Sequence, residues 1–164
     1  MIVFEPLFPD VQPPRRATTG SAGCDLAAYL RGRVVRVWRD GAREERTVEE
    51  REGVPSLTLA PSERALVPLG FRARIPGGVE AQVRPRSGTS VKTDLVIANA
   101  PGTIDPDYAE EWFVPVWNAG RRPLVIAHGD RIAQVVFARF EAPEFTRGAV
   151  RRSTEREGGF GSTG

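Results

Sequence analysis

Apolar and polar residues alternate along this chain in short runs, and proline or glycine interrupts nearly every window long enough for three helical turns. A period of two broken by turn signals is the signature of strands. The pattern predicts strands at Ile2–Phe4, Cys24–Ala28, Arg33–Trp38, Glu44–Val48, Ser56–Leu59, Ala65–Pro68, Phe71–Ile75, Val79–Val83, Leu95–Ile97, Glu111–Trp117, Leu124–Ala127 and Arg131–Phe140. Pro76-Gly77-Gly78, Asn118-Ala119-Gly120 and His128-Gly129-Asp130 supply turns between them. One helical turn is expected, at Ser87–Val91. Many short strands closely spaced imply an all-β barrel or jelly-roll-like fold.

Two segments break the pattern. Residues 31–53 are dense in charge, and Arg33–Trp38 can pair with Glu44–Val48 as a hairpin across Asp40-Gly41. Its charged faces predict a hairpin that projects into solvent, either as a plain insertion or as an arm for an unknown partner. From Arg147 the chain loses its apolar content and ends in a Gly-rich stretch around Phe160 that cannot bury enough to fold alone. A β-barrel over residues 1–146 and a C-terminal arm over 147–164 follow.

Composition narrows the chemistry. The 164 residues suit one domain, and a net charge of +2 gives no broad grip on nucleic acid. Of the 23 basic residues all but Lys92 are Arg. Arg forks onto phosphate or carboxylate, although codon bias produces the same excess. A single cysteine, Cys24, leaves no internal disulfide, and a single histidine, His128, leaves no His-rich zinc site. No apolar run approaches a membrane span, and the N-terminus lacks a signal peptide's basic start and apolar stretch. The expectation is a soluble cytoplasmic protein that needs neither nucleic acid nor membrane.

Polar residues collect in four internal patches. In Ala22-Gly23-Cys24-Asp25-Leu26, a strand would turn Asp25 away from Cys24 and Leu26, where it faces solvent or a hydrated divalent cation. Pro85-Arg86-Ser87-Gly88 opens the expected helical turn, whose free N–H groups, with a guanidinium and a hydroxyl, suit either a plain capped turn or a phosphate. Asn99–Tyr108 reads as an Asx-rich loop or as a site. A carboxylate there can deprotonate water, an amide can read a base edge, and a ring can floor a sugar. Gln134 interrupts the apolar run Ile132–Phe137 and needs hydrogen-bond partners if buried. In the arm, Arg156 and Phe160 have the chemistry to meet a phosphate and stack on a base.

Together, AGCDL at 22–26, PRSG at 85–88, NAPGTIDPDY at 99–108, GDRIAQ at 129–134 and REGGFGSTG at 156–164 stand in the order of the five motifs of the trimeric deoxyuridine triphosphate nucleotidohydrolase (dUTPase) family, which this chain resembles. The resemblance implies a jelly-roll β-barrel, a homotrimer with shared active sites, and hydrolysis of dUTP to dUMP and pyrophosphate. Such an activity keeps uracil out of DNA and supplies dUMP for thymidylate synthesis. It implies Asp105 as the group that activates water, with Asp25 and Ser87 also catalytic. Asp25 would hold a Mg²⁺ cofactor through water. Arg86, Ser87, Gly88, Gln134, Arg156, Ser162 and Thr163 would meet phosphates. Asn99, Thr103 and Ile104 would read uracil, Tyr108 would pack under deoxyribose, and Phe160 with Gly161 would close over the base.

Two rivals keep the fold. A dCTP deaminase-type enzyme carries a catalytic Glu ten positions after the Asp of its Ile-Asp pair, and that place here is Pro115. A catalytically inactive nucleotide-binding module would not need Asp105.

Overall fold

The computed structural model describes residues 1–151. Among these residues fourteen strands and one short helix form in chain order: β1 (Val3–Pro6), β2 (Cys24–Ala27), β3 (Val34–Arg39), β4 (Ala42–Thr47), β5 (Glu49–Arg51), β6 (Val54–Leu59), β7 (Arg64–Pro68), β8 (Phe71–Arg74), β9 (Val79–Arg84), α1 (Ser87–Lys92), β10 (Leu95–Ile97), β11 (Gly102–Ile104), β12 (Phe113–Asn118), β13 (Leu124–Ala127) and β14 (Arg131–Arg139). The sheets run β10-β12-β7-β3-β4, β11-β9-β14-β2, β13-β6-β5 and β1-β8, and every strand pair is antiparallel. They wrap one core that includes Leu26, Val35, Val37, Leu59, Val67, Val114, Val116 and Val135. This is the expected all-β, jelly-roll-like barrel. No helix among the described residues is long and apolar enough to cross a membrane.

Alternation fixes which side chains enter that core. In β12, Val114, Val116 and Asn118 are buried while Phe113, Pro115 and Trp117 face outward. Asn118 is fully buried and satisfied: its Nδ2 donates to the Leu59 and Arg122 carbonyls, and its Oδ1 accepts from Gly120 N–H.

The predicted strands all form, with ends shifted by up to two residues. Two strands had not been anticipated, β5 and β11. Both are three residues long, below the length at which alternation can be read, and their partners β6 and β9 define them.

The hairpin across Asp40-Gly41 forms as β3 and β4, with both turn residues at positive φ (49° and 82°), as a tight hairpin turn requires. It does not project into solvent. β3 pairs with β7 and sends Val35 and Val37 fully into the core. On β4, Arg46 reaches back to the barrel. Its Nη1 and Nη2 donate to Glu63 Oε2 and Oε1 at 2.7 and 2.9 Å, and Nη1 also donates to the Thr58 carbonyl. The charge density that suggested a solvated arm includes one cation whose carboxylate partner lies 17 residues away and is almost fully buried.

Candidate active site

Three of the internal motifs converge on the four-stranded sheet. Asp25 on β2 stands opposite Gln134 on β14, which stands opposite Arg84 at the end of β9. The chain then turns through Pro85 into α1, with Arg86 as its N-cap in extended geometry. Arg86 has no side-chain acceptor to offer, and α1 carries no side-chain cap, so its first-turn N–H groups are left without one. Ser87 and Gly88 open the helix and are exposed.

Asp25 is the hub. Its Oδ1 accepts from Arg86 Nε at 2.7 Å and its Oδ2 from Arg131 Nη1 at 3.1 Å. Arg86 Nη1 also donates to the Arg131 carbonyl. The carboxylate therefore gathers two guanidiniums at the edge of one sheet. Arg131 reaches it because of a bulge. The β2–β14 register slips between Arg131 and Ala133, so Ile132 and Ala133 both turn inward and Arg131 returns to the face of Gln134. No role was read for Arg131 from sequence. Three residues before Gln134 in a regular strand, it would have pointed the other way.

Gln134 finds its partner on the backbone. Its Nε2 donates to the Pro85 carbonyl at 2.8 Å and so holds the turn that leads to Arg86 and Ser87. Gly23 leaves the room: a Cβ there would overlap Gln134 Oε1 and lie 3.1 Å from its Cδ.

The third motif assembles at the far edge of the same sheet. Asn99 is exposed in the loop after β10, packed against Gly102. Thr103 and Ile104 lie on β11, which is the edge strand of the sheet, so one row of its backbone groups has no strand partner. Asp105 follows, exposed, and its carbonyl accepts the Tyr108 N–H. The Tyr108 hydroxyl donates to the Glu111 carbonyl at 3.0 Å, and burial, then the nearby Glu110, raises its pKa above the ordinary phenol value. Glu111 itself is committed to structure. Its carboxylate accepts from Gly70 N–H and from Arg33, both close to ideal distance.

Register places these two groups apart. Ile104 stands opposite Ala81 and Gln134 opposite Arg84, on either side of β9. That is three residues, about 10 Å, along the strand direction and about 10 Å across it. β11 then runs on from Ile104 away from Arg84, which carries Asp105 farther. Asp105 and Tyr108 thus stand far from Arg86 and Ser87 within one chain. Arg156, Phe160, Gly161, Ser162 and Thr163, expected to meet the substrate, lie outside the described residues.

For a divalent cation, Asp25 is the carboxylate that the Arg86, Arg131 and Gln134 cluster offers. Among the described residues no three His, Cys, Asp or Glu side chains stand together as a metal cage. Both Asp25 oxygens accept from guanidiniums, and each retains a lone pair. That donor set fits a cation held chiefly by substrate phosphates and water, as Mg²⁺ commonly is.

The fold also matches solved structures. A Staphylococcus bacteriophage 80alpha dUTPase variant with dUpNHpp superposes with a TM-score of 0.73 at 22% identity, covering 100% of this chain and 98% of the other. A mutant dUTPase from phage phi11 of S. aureus, described with a structural Mg(II) ion, gives 0.70 at 21% identity, covering 93% and 99%. These likenesses establish the class: a dUTPase-type β-barrel.

Sequence goes further. The dUTPase family model matches residues 54–164. The deoxyuridine 5'-triphosphate nucleotidohydrolase of Finegoldia magna is 38% identical over 152 residues, 92% of this chain and 90% of its own length. The enzyme of that name from Desulfotalea psychrophila is 41% identical over 152 residues, 92% and 86% respectively. The chain belongs to the dUTPase family and is an enzyme of the dUTP diphosphatase class.

Proposed function

We propose that this chain hydrolyses dUTP to dUMP and pyrophosphate by attack of water on the α-phosphorus, in a homotrimer whose sites combine residues of different subunits. The observation that carries the shared site is the separation just described. A phosphate-binding group (Asp25, Arg86, Ser87, Gly88) and a water-activating group (Asp105, Tyr108) stand at different places on one chain, although one reaction needs both within a few ångströms.

The chemistry is assigned residue by residue. Arg86, the hydroxyl of Ser87 and the uncapped N–H groups of α1 receive the triphosphate and stabilise charge that develops on the leaving pyrophosphate. Asp25 sets the direction of Arg86, because its Oδ1 holds Nε while Nη1 meets the Arg131 carbonyl, which leaves Nη2 for other acceptors. Gln134 acts through Pro85 by holding the turn. Asp105 accepts a proton from the attacking water, which is a poor nucleophile without such a base. Asn99 and the free backbone edge of β11 read uracil, and the Tyr108 ring supports the sugar. Arg156 and Phe160 add a phosphate contact and a stacking surface. Mg²⁺, held by substrate phosphates and by Asp25 through water, would supply charge neutralisation on the leaving group. The enzyme works in the cytoplasm, where removal of dUTP keeps uracil out of DNA and its product feeds thymidylate synthesis.

The deaminase alternative lacks its base. Pro115 occupies the expected position on β12, and the nearby Glu111 is tied to Gly70 and Arg33.

Two measurements test the reading. Pyrophosphate and ammonia release are followed with dUTP, dCTP, dTTP and UTP; pyrophosphate from dUTP alone is expected, and ammonia from dCTP refutes the assignment. Then inactive Arg86→Ala and Asp105→Asn chains are unfolded, mixed and refolded together. Random mixing returns about a quarter of wild-type activity if each site draws these residues from two subunits. No recovery would rule out the shared site.

A further inference from the structure

No step of the proposed reaction uses His128, yet this residue ties two sheets together. It lies in the turn between β13 and β14. Its backbone N–H donates to the Pro55 carbonyl on β6 at 2.8 Å, which continues the β13–β6 pairing. Its side chain bonds into the four-stranded sheet instead. Nδ1 accepts the Leu30 N–H at 3.1 Å, from a residue 98 positions away in sequence. Leu30 follows β2 and is fully buried.

That bond ends a ladder that leads to the site. Gly129 N–H donates to the Ala28 carbonyl and Ala28 N–H to the Asp130 carbonyl, and Ala27 then stands opposite Arg131. The imidazole takes the place of a backbone carbonyl at the end of the β2–β14 pairing. Arg131 reaches Asp25 from this ladder, and the other oxygen of Asp25 holds Arg86.

A ring nitrogen fills such a place only while it is unprotonated. With Nδ1 as the acceptor, the neutral ring carries its proton on Nε2. Protonation sets an Nδ1–H against the Leu30 N–H, donor against donor, and leaves a buried N–H without an acceptor. The surroundings favour the neutral ring. The Tyr29 ring packs edge-on against the imidazole with centroids 4.9 Å apart. Burial, then Arg31, lowers the His128 pKa from the ordinary histidine value, and Asp10 opposes them. Asp10 is itself engaged by the Tyr29 hydroxyl and by Arg31. On the turn, the Asp130 carboxylate accepts the Ala127 N–H. His128 lines a cleft of about 480 Å³ whose other charged residues are Arg15, Arg16, Asp25 and Arg131, the last two paired with each other. The stabilisation that the neutral ring confers is fully present above the ordinary histidine value and is lost as pH falls through the lowered one.

We propose that His128 is a positioning residue and a proton-sensitive catch for the Asp25–Arg86–Arg131 cluster: neutral Nδ1 holds the Leu30 N–H and with it the turn that delivers Arg131 to Asp25, and protonation releases that turn. The proposal rests on the proposed function, in which that cluster meets the substrate.

Because the chain has a single histidine, its imidazole can be read directly by nitrogen-15 NMR. The wild-type chain is expected to show the Nε2–H tautomer at neutral pH and to titrate below the ordinary histidine value. Protection of the Leu30 amide from hydrogen exchange should fall over the same range, and so should kcat/KM for dUTP, followed by pyrophosphate release. His128→Asn offers an Oδ1 acceptor in place of Nδ1 and does not titrate. It should stay within about threefold of wild type in mild alkali and keep its kcat/KM through the range in which the wild-type imidazole titrates. His128→Leu should lose about tenfold at every pH, the equivalent of one buried donor left unpaired. An Nδ1–H tautomer, an acid limb that His128→Asn leaves unmoved, or a His128→Leu enzyme with the wild-type profile overturns the proposal. Should the variants fail to fold, the wild-type chain decides: a Leu30 amide that stays protected once the imidazole is protonated overturns it. A wild-type enzyme whose activity does not follow the imidazole titration defeats this inference and leaves the proposed function standing. A chain that hydrolyses no dUTP at any pH defeats both.

Discussion

Replacing Gly23 by Ala perturbs the Asp25–Arg86–Gln134 cluster through one atom. The added Cβ overlaps Gln134 Oε1, the far end of a flexible side chain, so the barrel need not move; Gln134 swings away instead. What is lost is the hydrogen bond from its Nε2 to the Pro85 carbonyl. Such a bond contributes about 1 kcal/mol to stability, which in a chain of this length lowers Tm by about 2–4 °C. The effect on rate is larger, because Pro85 leads directly into Arg86 and Ser87. A displacement of about 1 Å in groups that orient a reacting phosphate costs about 100-fold. Pyrophosphate release gives kcat and KM, calorimetry gives Tm, and kcat is expected to fall far more than stability does. Gln134→Met should reproduce the loss, and adding Gly23→Ala to it should cost little more, since both act through one contact. A Gly23→Ala enzyme with kcat within about threefold of wild type would refute the argument.

The other predictions follow from the same contacts. Asp105→Asn should abolish turnover while isothermal titration still detects binding of a non-hydrolysable dUTP analogue. Asp25→Asn should lower kcat/KM by about 10²–10³, because Arg86 and Arg131 lose their shared anionic anchor, and steady-state kinetics will read it. Arg46→Met should destabilise the fold by about 3 kcal/mol, measured by urea unfolding, because Glu63 is left buried without its bidentate partner. Arg46, by hydrogen bonding, holds the Glu63 pKa below the ordinary glutamate range. The stabilisation that the charged carboxylate gains from Arg46 is therefore fully present above that range and is lost as pH falls through the lowered value. Wild type should lose stability there, and Arg46→Met should lose less. A chain ending at Arg151 should keep the barrel's circular dichroism and melting and lose dUTP hydrolysis, as Arg156 and Phe160 are removed.

Strand alternation made most of the barrel legible before any coordinates, because residues such as Val114 and Val116 bury at a spacing of two whatever the topology. The motifs were legible for a different reason: AGCDL, PRSG and GDRIAQ each put several functional groups within a few residues. What escaped was set by long-range register. The alternation of Val35 and Val37 was visible, but only the pairing of β3 with β7 shows that the hairpin belongs to the core. Arg131 was visible within its motif, but its meeting with Asp25 depends on the bulge at Ile132. The need for glycine at position 23 was hidden as well, because it comes from Gln134, 111 residues away in sequence. The separation of Asp105 from Arg86 was equally hidden, since it follows from which strands flank β9.

The pairing of β2 with β14 has a consequence for how the protein is made. Arg131 and Asp25 are 106 residues apart in sequence, and the contact between them closes most of the chain into a loop. Closing a loop of that length costs about 4 kcal/mol in chain entropy before any contact repays it. Strand pairs of this kind form slowly and late. During synthesis β2 leaves the ribosome roughly 5–20 s before β14 does, and for that interval its hydrogen-bonding edge has no native partner. The contacts of Asp25 and Pro85 with β14 therefore cannot exist in any shorter nascent chain. Closure of this sheet thus waits for β14 to arrive.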